Sequence, residues 1–129
     1  MAQVKVYGLR TALDPVKHRL SDAIHAAVVE ALSFPVGKRA HRFFPLAADD
    51  FYRPAGRTER YTIVEVSMFE GRSPGAKRAL IHGLFRRIET EVGISARDVE
   101  ITITETPRSN WGFRGMTGDD VELDYKVKV

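Results

Sequence analysis

The strongest constraint on this chain is that it repeats itself. Displaced by sixty residues, the sequence falls on itself without a gap: Val4-Lys5-Val6 on Val64-Glu65-Val66, Leu20 on Leu80, Ile24 on Leu84, Val28 on Ile88 and Leu32 on Val92. Lys17 falls on Lys77 and Phe34 on Ile94. The match is one of hydrophobic pattern rather than identity. Self-similarity at a fixed offset is the signature of one structural unit used twice, so the fold has to be one in which a unit packs against its own copy.

Each unit reads as strand, helix, strand. Val4 and Val6 alternate with Lys5, and Thr62, Val64, Val66 and Met68 alternate with Ile63, Glu65 and Ser67, the period of a half-buried strand. A helix follows. Asp14-Pro15 and Ser73-Pro74 each look like an N-cap with proline in the first helical position. Val16, Leu20, Ala23, Ile24, Ala27, Val28 and Ala31 form one apolar stripe, and Ala76, Leu80, Leu84 and Ile88 form another. Ser33-Phe34-Pro35 and Gly93 end the two helices. His41-Arg42-Phe43-Phe44 and Val99-Glu100-Ile101-Thr102-Ile103 supply the closing strands.

The expected architecture is therefore α/β: two tandem β-α-β units, about 1–46 and 61–106, making a four-stranded sheet with two helices on one face, all in a single domain of residues 1–129. Each helix between two strands implies a parallel pair with a right-handed crossover. The Asp-, Arg- and Pro-rich residues 47–60 connect the halves. The other sheet face carries apolar residues such as Ile63 and needs cover, which predicts an oligomer. The tail, 107–129, has a glycine-punctuated aromatic loop, Asn110 to Gly118, and a Leu123–Val129 stretch that alternates like an edge strand.

Composition excludes several classes of chemistry. With no cysteine among 129 residues, there is no disulfide framework, thiolate metal site or cysteine nucleophile. A net charge of +3 comes from 20 basic and 17 acidic residues interspersed along the chain, without a nucleic-acid-binding motif, so no nucleic acid partner is expected. No run approaches the ~18 apolar residues of a membrane span. The start of the chain does not read as a signal peptide, and the expected setting is cytoplasmic. Dinucleotide, phosphate-loop and metalloprotease motifs are missing, so neither a cofactor nor a metal is expected. His18 and His25 are expected to face solvent, away from the apolar stripe of the first helix.

Lys38, Arg39, His41, Arg42 and Arg72 are the candidate anion-binding residues. Arg72 stands between a strand end and a helix start, where α/β units place ligands and where helix N–H groups favour anions. Its guanidinium suits a carboxylate, although a solvated loop arginine is an equally ordinary reading. Trp111 and Phe113 flank a glycine; they either plug a core or subunit seam or wall a pocket.

Together, Phe69-Glu70-Gly71-Arg72-Ser73 with Lys77, Gly93-Ile94-Ser95 leading to Asp98-Val99, and Asn110-Trp111-Gly112-Phe113-Arg114-Gly115 resemble the tautomerase superfamily, with its malonate semialdehyde decarboxylase-like branch the nearest in pattern. The resemblance covers nearly the whole chain. It implies a homotrimer with a site at each subunit seam, no cofactor, and proton transfer by an N-terminal proline amine while arginines hold a small carboxylate substrate. This chain departs from the pattern where that proline would stand: the residue after Met1 is Ala2. Lys38 replaces an acidic residue, and Glu70 replaces the first of two arginines. The resemblance thus implies Ala2 and Arg72 as catalytic residues and Arg39, His41, Arg42, Trp111 and Phe113 as substrate-binding residues. Chemistry would be keto–enol tautomerisation, or a related isomerase or lyase reaction, of a small 2-oxo or enol carboxylate, weakened or altered by the missing proline. If Met1 is removed, Ala2 offers a primary amine that can act as base or form an imine; if Met1 stays, the amine is displaced and the pocket blocked. The alternative is a non-catalytic carboxylate-binding or interaction protein on the same scaffold.

Overall fold

A computed structural model describes all residues, 1–129. Strand β1 (Ala2–Leu9) runs straight into a turn of helix, α1 (Arg10–Leu13), then a 3-10 turn (Asp14–Val16) and the long helix α2 (Lys17–Leu32). β2 (His41–Leu46) completes the first unit. The second comprises β3 (Thr62–Phe69), α3 (Pro74–Arg87) and β4 (Val99–Thr106). The sheet order is β2-β1-β3-β4. Within each unit the strands are parallel, with Val4 opposite His41 and Thr62 opposite Val99; the units meet through antiparallel β1 and β3, with Ala2 opposite Met68 and Gly8 opposite Thr62.

The core lies between this sheet and its helices. Val4, Val6, Val64, Val66 and Met68 alternate inward from the two central strands and meet Leu20, Ile24, Leu80, Leu84 and Ile88. Each of these side chains stabilises the fold by about 1.5–3 kcal/mol on burial. The face opposite the helices is half-buried in the isolated chain, and there Tyr7 stacks on Phe44 at 4.8 Å.

Three local expectations need correction. Asp14-Pro15 does not start the first helix, which begins at Arg10 without a side-chain cap. Proline lacks the N–H that would continue the ladder, so the chain tightens into a 3-10 turn with Pro15 in its first turn, and Asp14 pairs with Lys17 at 3.0 Å instead of capping. Ser73, by contrast, caps α3 as expected, its Oγ accepting from Ala76 N at 3.0 Å. His25 is not solvent-facing: it is only 5% exposed, because its ring turns under the loop after α2 to hydrogen-bond Val36 O at 2.7 Å. His18 is exposed.

Finally, Leu123–Val129 is not a strand. Its alternation is real, with odd-numbered residues turned inward and even-numbered ones exposed, but it forms no ladder. It crosses the molecule as a strap, anchored by Ser73 N donating to Val129 O at 3.1 Å. The aromatic loop closes into a small hairpin, β5 (Gly112–Phe113) with β6 (Met116–Thr117).

Candidate functional site

The site gathers where β1 begins and β3 ends. Pairing of Ala2 with Met68 brings the head of one strand beside the tail of the other, and Phe69 N donates to Met1 O at 3.2 Å. Ala2 is 5% exposed and forms the floor. The Met1 amine donates to the hydroxyl of Tyr125, which the strap delivers from the far end of the sequence. Burial, and then the cations Arg72, Lys38, Arg108 and Arg114, lower the pKa of this amine to about 4. Burial removes water from the ammonium and each cation repels it, so the amine is neutral at neutral pH.

Arg72 is 4% exposed. Its Nη1 donates to Phe69 O at 3.1 Å, while Nε and Nη2 have no partner. Burial depresses its pKa, and the neighbouring Tyr125 and Glu105 oppose that shift. Lys38 pairs with Asp124 at 2.8 Å and lies 4.8 Å from the centre of the Tyr125 ring. Phe34 meets that ring edge-on at 5.1 Å.

The aromatic wall is built around Phe69, which is fully buried. Trp111 stands edge-on to it at 5.2 Å and Phe113 is tilted against it at 5.9 Å. The Trp111 indole donates to Thr106 Oγ1 at 2.7 Å, which fixes the loop. Arg108 donates to Gly118 O and to Val121 O, holding hairpin and strap together. A cavity of about 350 Å³ opens between Met1, Ala2, Lys38, Arg39, Phe113 and Arg114. A larger hollow of about 740 Å³ lies along the strap, with Tyr125 and Arg108 in its lining.

The structure thus brings together Ala2, Arg72, Arg39 and Phe113, with Trp111 behind them through Phe69. Arg39 is exposed and tied to Asp22 at 2.7 Å. His41 is drawn toward α2, its Nδ1 2.8 Å from Ser21 Oγ, and burial followed by repulsion from Arg39 and His25 lowers its pKa to about 4. Arg42 lies on the sheet face away from the helices, donating to Gln3 Oε1 at 3.2 Å, and does not reach this cavity within one chain. Sequence reasoning missed Tyr125 and Arg108, and named Arg114 only as part of a motif without a role. The alternation of the strap was its available signal, but it pointed to an edge strand rather than to a ring over the amine. No group of acidic or histidine side chains is arranged to hold a metal ion, and no helix is long and apolar enough to cross a membrane.

A mixed sheet of two β-α-β units, with an electropositive pocket at the head of its first strand, defines a tautomerase-type architecture. Comparison with known proteins agrees. The family described as tautomerase enzyme matches residues 38–114, and the chain belongs to that family. The chain is 25% identical to a probable tautomerase, YusQ, of Bacillus subtilis (strain 168), over 74% of this chain and 79% of that protein. It is 32% identical to a 2-hydroxymuconate tautomerase of Comamonas testosteroni, over 44% of this chain and 90% of that shorter protein. Among solved structures, malonate semialdehyde decarboxylase superposes with a TM-score of 0.81 at 25% identity, covering 92% of this chain and 99% of that one. A fused 4-OT, solved as an asymmetric trimer, superposes with a TM-score of 0.79 over 91% of this chain and 96% of that one, and at 21% identity shows the shared fold.

Proposed function

We propose that this tautomerase-family protein moves protons between carbon and oxygen in a small 2-oxo or enol carboxylate. The observation that carries the reading is the place of the terminal amine at the head of β1, beside the Tyr125 hydroxyl and among Arg72, Lys38, Arg108 and Arg114, where burial and these cations lower its pKa to about 4. A neutral amine can accept a proton, and the cations that keep it neutral attract a carboxylate. Once Met1 is removed, Ala2 presents the terminal amine at the same strand head, where it pairs with Met68. Arg72 clamps the carboxylate with the N–H groups that have no partner. Arg39 and Phe113 line the entrance, and Trp111 stiffens the wall. His41 and Arg42 serve as outer positions, Arg42 reaching a site only across a subunit seam.

The reading includes a homotrimer. The sheet face carrying Tyr7, Phe44 and Ile63 is half-buried in one chain and suits a neighbouring copy. The fused 4-OT of the same fold is a trimer. Light scattering should give three chain masses; a stable monomer would remove the seam.

The test of the activity uses protein whose intact mass lacks one methionine. An arylenolpyruvate is followed spectroscopically as the enol disappears. Ketonisation well above the buffer rate, lost in Arg72→Ala, is expected. A rate no better than buffer would refute the activity. Carboxylate binding without turnover would instead favour a binding protein on this scaffold, the reading that the alanine in place of proline supports.

A further inference from the structure

We propose that Tyr125 is a catalytic residue whose hydroxyl donates a hydrogen bond to the C2 oxygen of a 2-oxo or enol carboxylate held beside it by Arg72. The inference deepens the function proposed above and rests on it. The first observation is the place of the hydroxyl. Met1 lies between Ala2 and Tyr125, and its amine, hydrogen-bonded to Tyr125, marks a polar position with Arg72 and Lys38 around it. When Met1 is removed, that position lies between the Ala2 amine on one side and the Tyr125 hydroxyl on the other.

The second observation is the donor set. Arg72 is almost wholly buried and keeps Nε and Nη2 without partners. Tyr125 and Arg72 shift each other's titration through charge and a side-chain hydrogen bond, so the phenol oxygen is the protein group nearest to these N–H donors. Unpartnered guanidinium N–H groups next to a phenol match two oxygens on adjacent carbons, one a carboxylate and one a carbonyl or enol. Unpaired buried donors are costly, so a ligand that satisfies them is strongly favoured.

The third observation is that the ring is held by contacts other than its hydroxyl. Phe34 packs on one side and Lys38 lies over the ring. The adjacent Asp124 is ion-paired with Lys38. Further along the strap, Val127 closes over Gly71, where an added Cβ would stand 3.1 Å from Val127 Cγ1. The hydroxyl is thus positioned by the strap, and removal of Met1 releases it from the terminal amine for a ligand.

In ketonisation the neutral Ala2 amine takes the enol O–H proton and becomes ammonium, leaving the bonding pair on oxygen. That pair forms the C2 carbonyl as the former C2–C3 double bond takes the proton from the ammonium at C3. The amine ends neutral and the atoms balance. Tyr125 keeps its proton throughout and donates more strongly as charge gathers on oxygen. Burial raises its pKa, which keeps it protonated.

The test compares wild type with Tyr125→Phe, both with Met1 absent by mass. The substitution keeps the ring and its packing. A preorganised donor to a developing oxyanion is worth roughly 10²–10³ in rate; we expect kcat to fall about 100-fold with KM changed less than about threefold and the melting curve unchanged. An active wild type with an equally active Tyr125→Phe would overturn this inference alone. An inactive wild type would overturn the proposed function and this inference with it. Should Tyr125→Phe fail to fold, Tyr125→3-fluorotyrosine keeps the hydroxyl and makes it more acidic. The alkaline limb of the kcat profile should then move to lower pH, and an unmoved limb would overturn the assignment.

Discussion

Acylation of the terminal amine reads the electrostatics of the site without needing a substrate. The perturbation is a trace of acetic anhydride at a series of pH values, and the assay is mass spectrometry of the N-terminal peptide, which distinguishes chains that retain Met1 from those that start at Ala2. Only the neutral amine reacts. An ordinary α-amine, with a pKa near 8, is about 1% neutral at pH 6, so its rate falls about tenfold for each unit below pH 8. The Met1 amine, lowered to about 4 by burial first and by Arg72, Lys38, Arg108 and Arg114 next, is about 99% neutral at pH 6. Its acylation rate should therefore be flat from about pH 8 to pH 5, after correction for hydrolysis of the reagent. Burial slows the reaction but does so equally at every pH. Lys38→Met should move the fall toward higher pH, because one repelling charge is gone while burial remains. The stability sign follows. The unfolded amine takes up a proton below pH 8 and the folded one does not until about pH 4, so between these values stability falls as pH falls. The slope is at most about 1.4 kcal/mol per pH unit, reduced because the group is partly exposed to solvent. A Met1 acylation rate that drops tenfold per unit below pH 8 would refute the description of this pocket as cationic and desolvated.

Three further outcomes concern the scaffold of the site. Gly118→Ala would place a Cβ 2.3 Å from Arg108 O and 3.1 Å from Trp111 Cβ; the hairpin has to move, and a loss of about 1–3 kcal/mol in urea unfolding is expected, with an unchanged midpoint arguing against this packing. Phe69→Ala removes the fully buried ring on which Trp111 and Phe113 lean and should cost about 3–5 kcal/mol, with a shift in tryptophan fluorescence as Trp111 loses its neighbour. Asp98, 4% exposed, accepts from Thr58 N at 2.8 Å and from its hydroxyl. Burial alone would raise its pKa, but the Thr58 hydrogen bonds, with Arg57 and Arg60, outweigh it and hold the carboxyl below its ordinary value. Its contribution is present above the unfolded pKa and is lost as pH falls through the folded one. Asp98→Asn should lower stability at pH 7 and reduce the acid dependence, read by unfolding at pH 7 and pH 3.

The residues that announced the fold are those whose burial repeats with a period. Val64, Val66 and Met68 are buried as their alternation requires, and Leu80, Leu84 and Ile88 as theirs requires. Where a side chain satisfied a hydrogen bond across the chain, pattern gave no warning. His25 sits beside the apolar stripe of α2 and turns inward because Val36 O needs a donor. Asp14-Pro15 carried the local chemistry of a helix start, but β1 leads directly into Arg10 and the proline falls in a turn instead. The site was legible in half. Arg72 and Phe113 belong to motifs close in sequence to the strands that place them. Tyr125 lies 124 residues from the amine it bonds, and only the path of the strap joins them.

The antiparallel seam between β1 and β3 gives the duplicated unit a pseudo-twofold axis, and that axis has an evolutionary consequence. The position related to Ala2 is Thr62, at the opposite end of the sheet beside Gly8. Thr62 has a neighbour on both sides, so its nitrogen is an amide and never a base. Covalent joining of two copies therefore leaves one amine where two separate chains would have two. The second end is free to drift. It now holds Tyr61 hydrogen-bonded to Glu100 at 2.6 Å, stacked on Phe51, with Arg57 paired to the same carboxylate. What could have been a pocket has become a buttress. The halves share one order of elements but differ at their strand heads, where one carries the terminal amine and the other a hydrogen-bonded aromatic cluster.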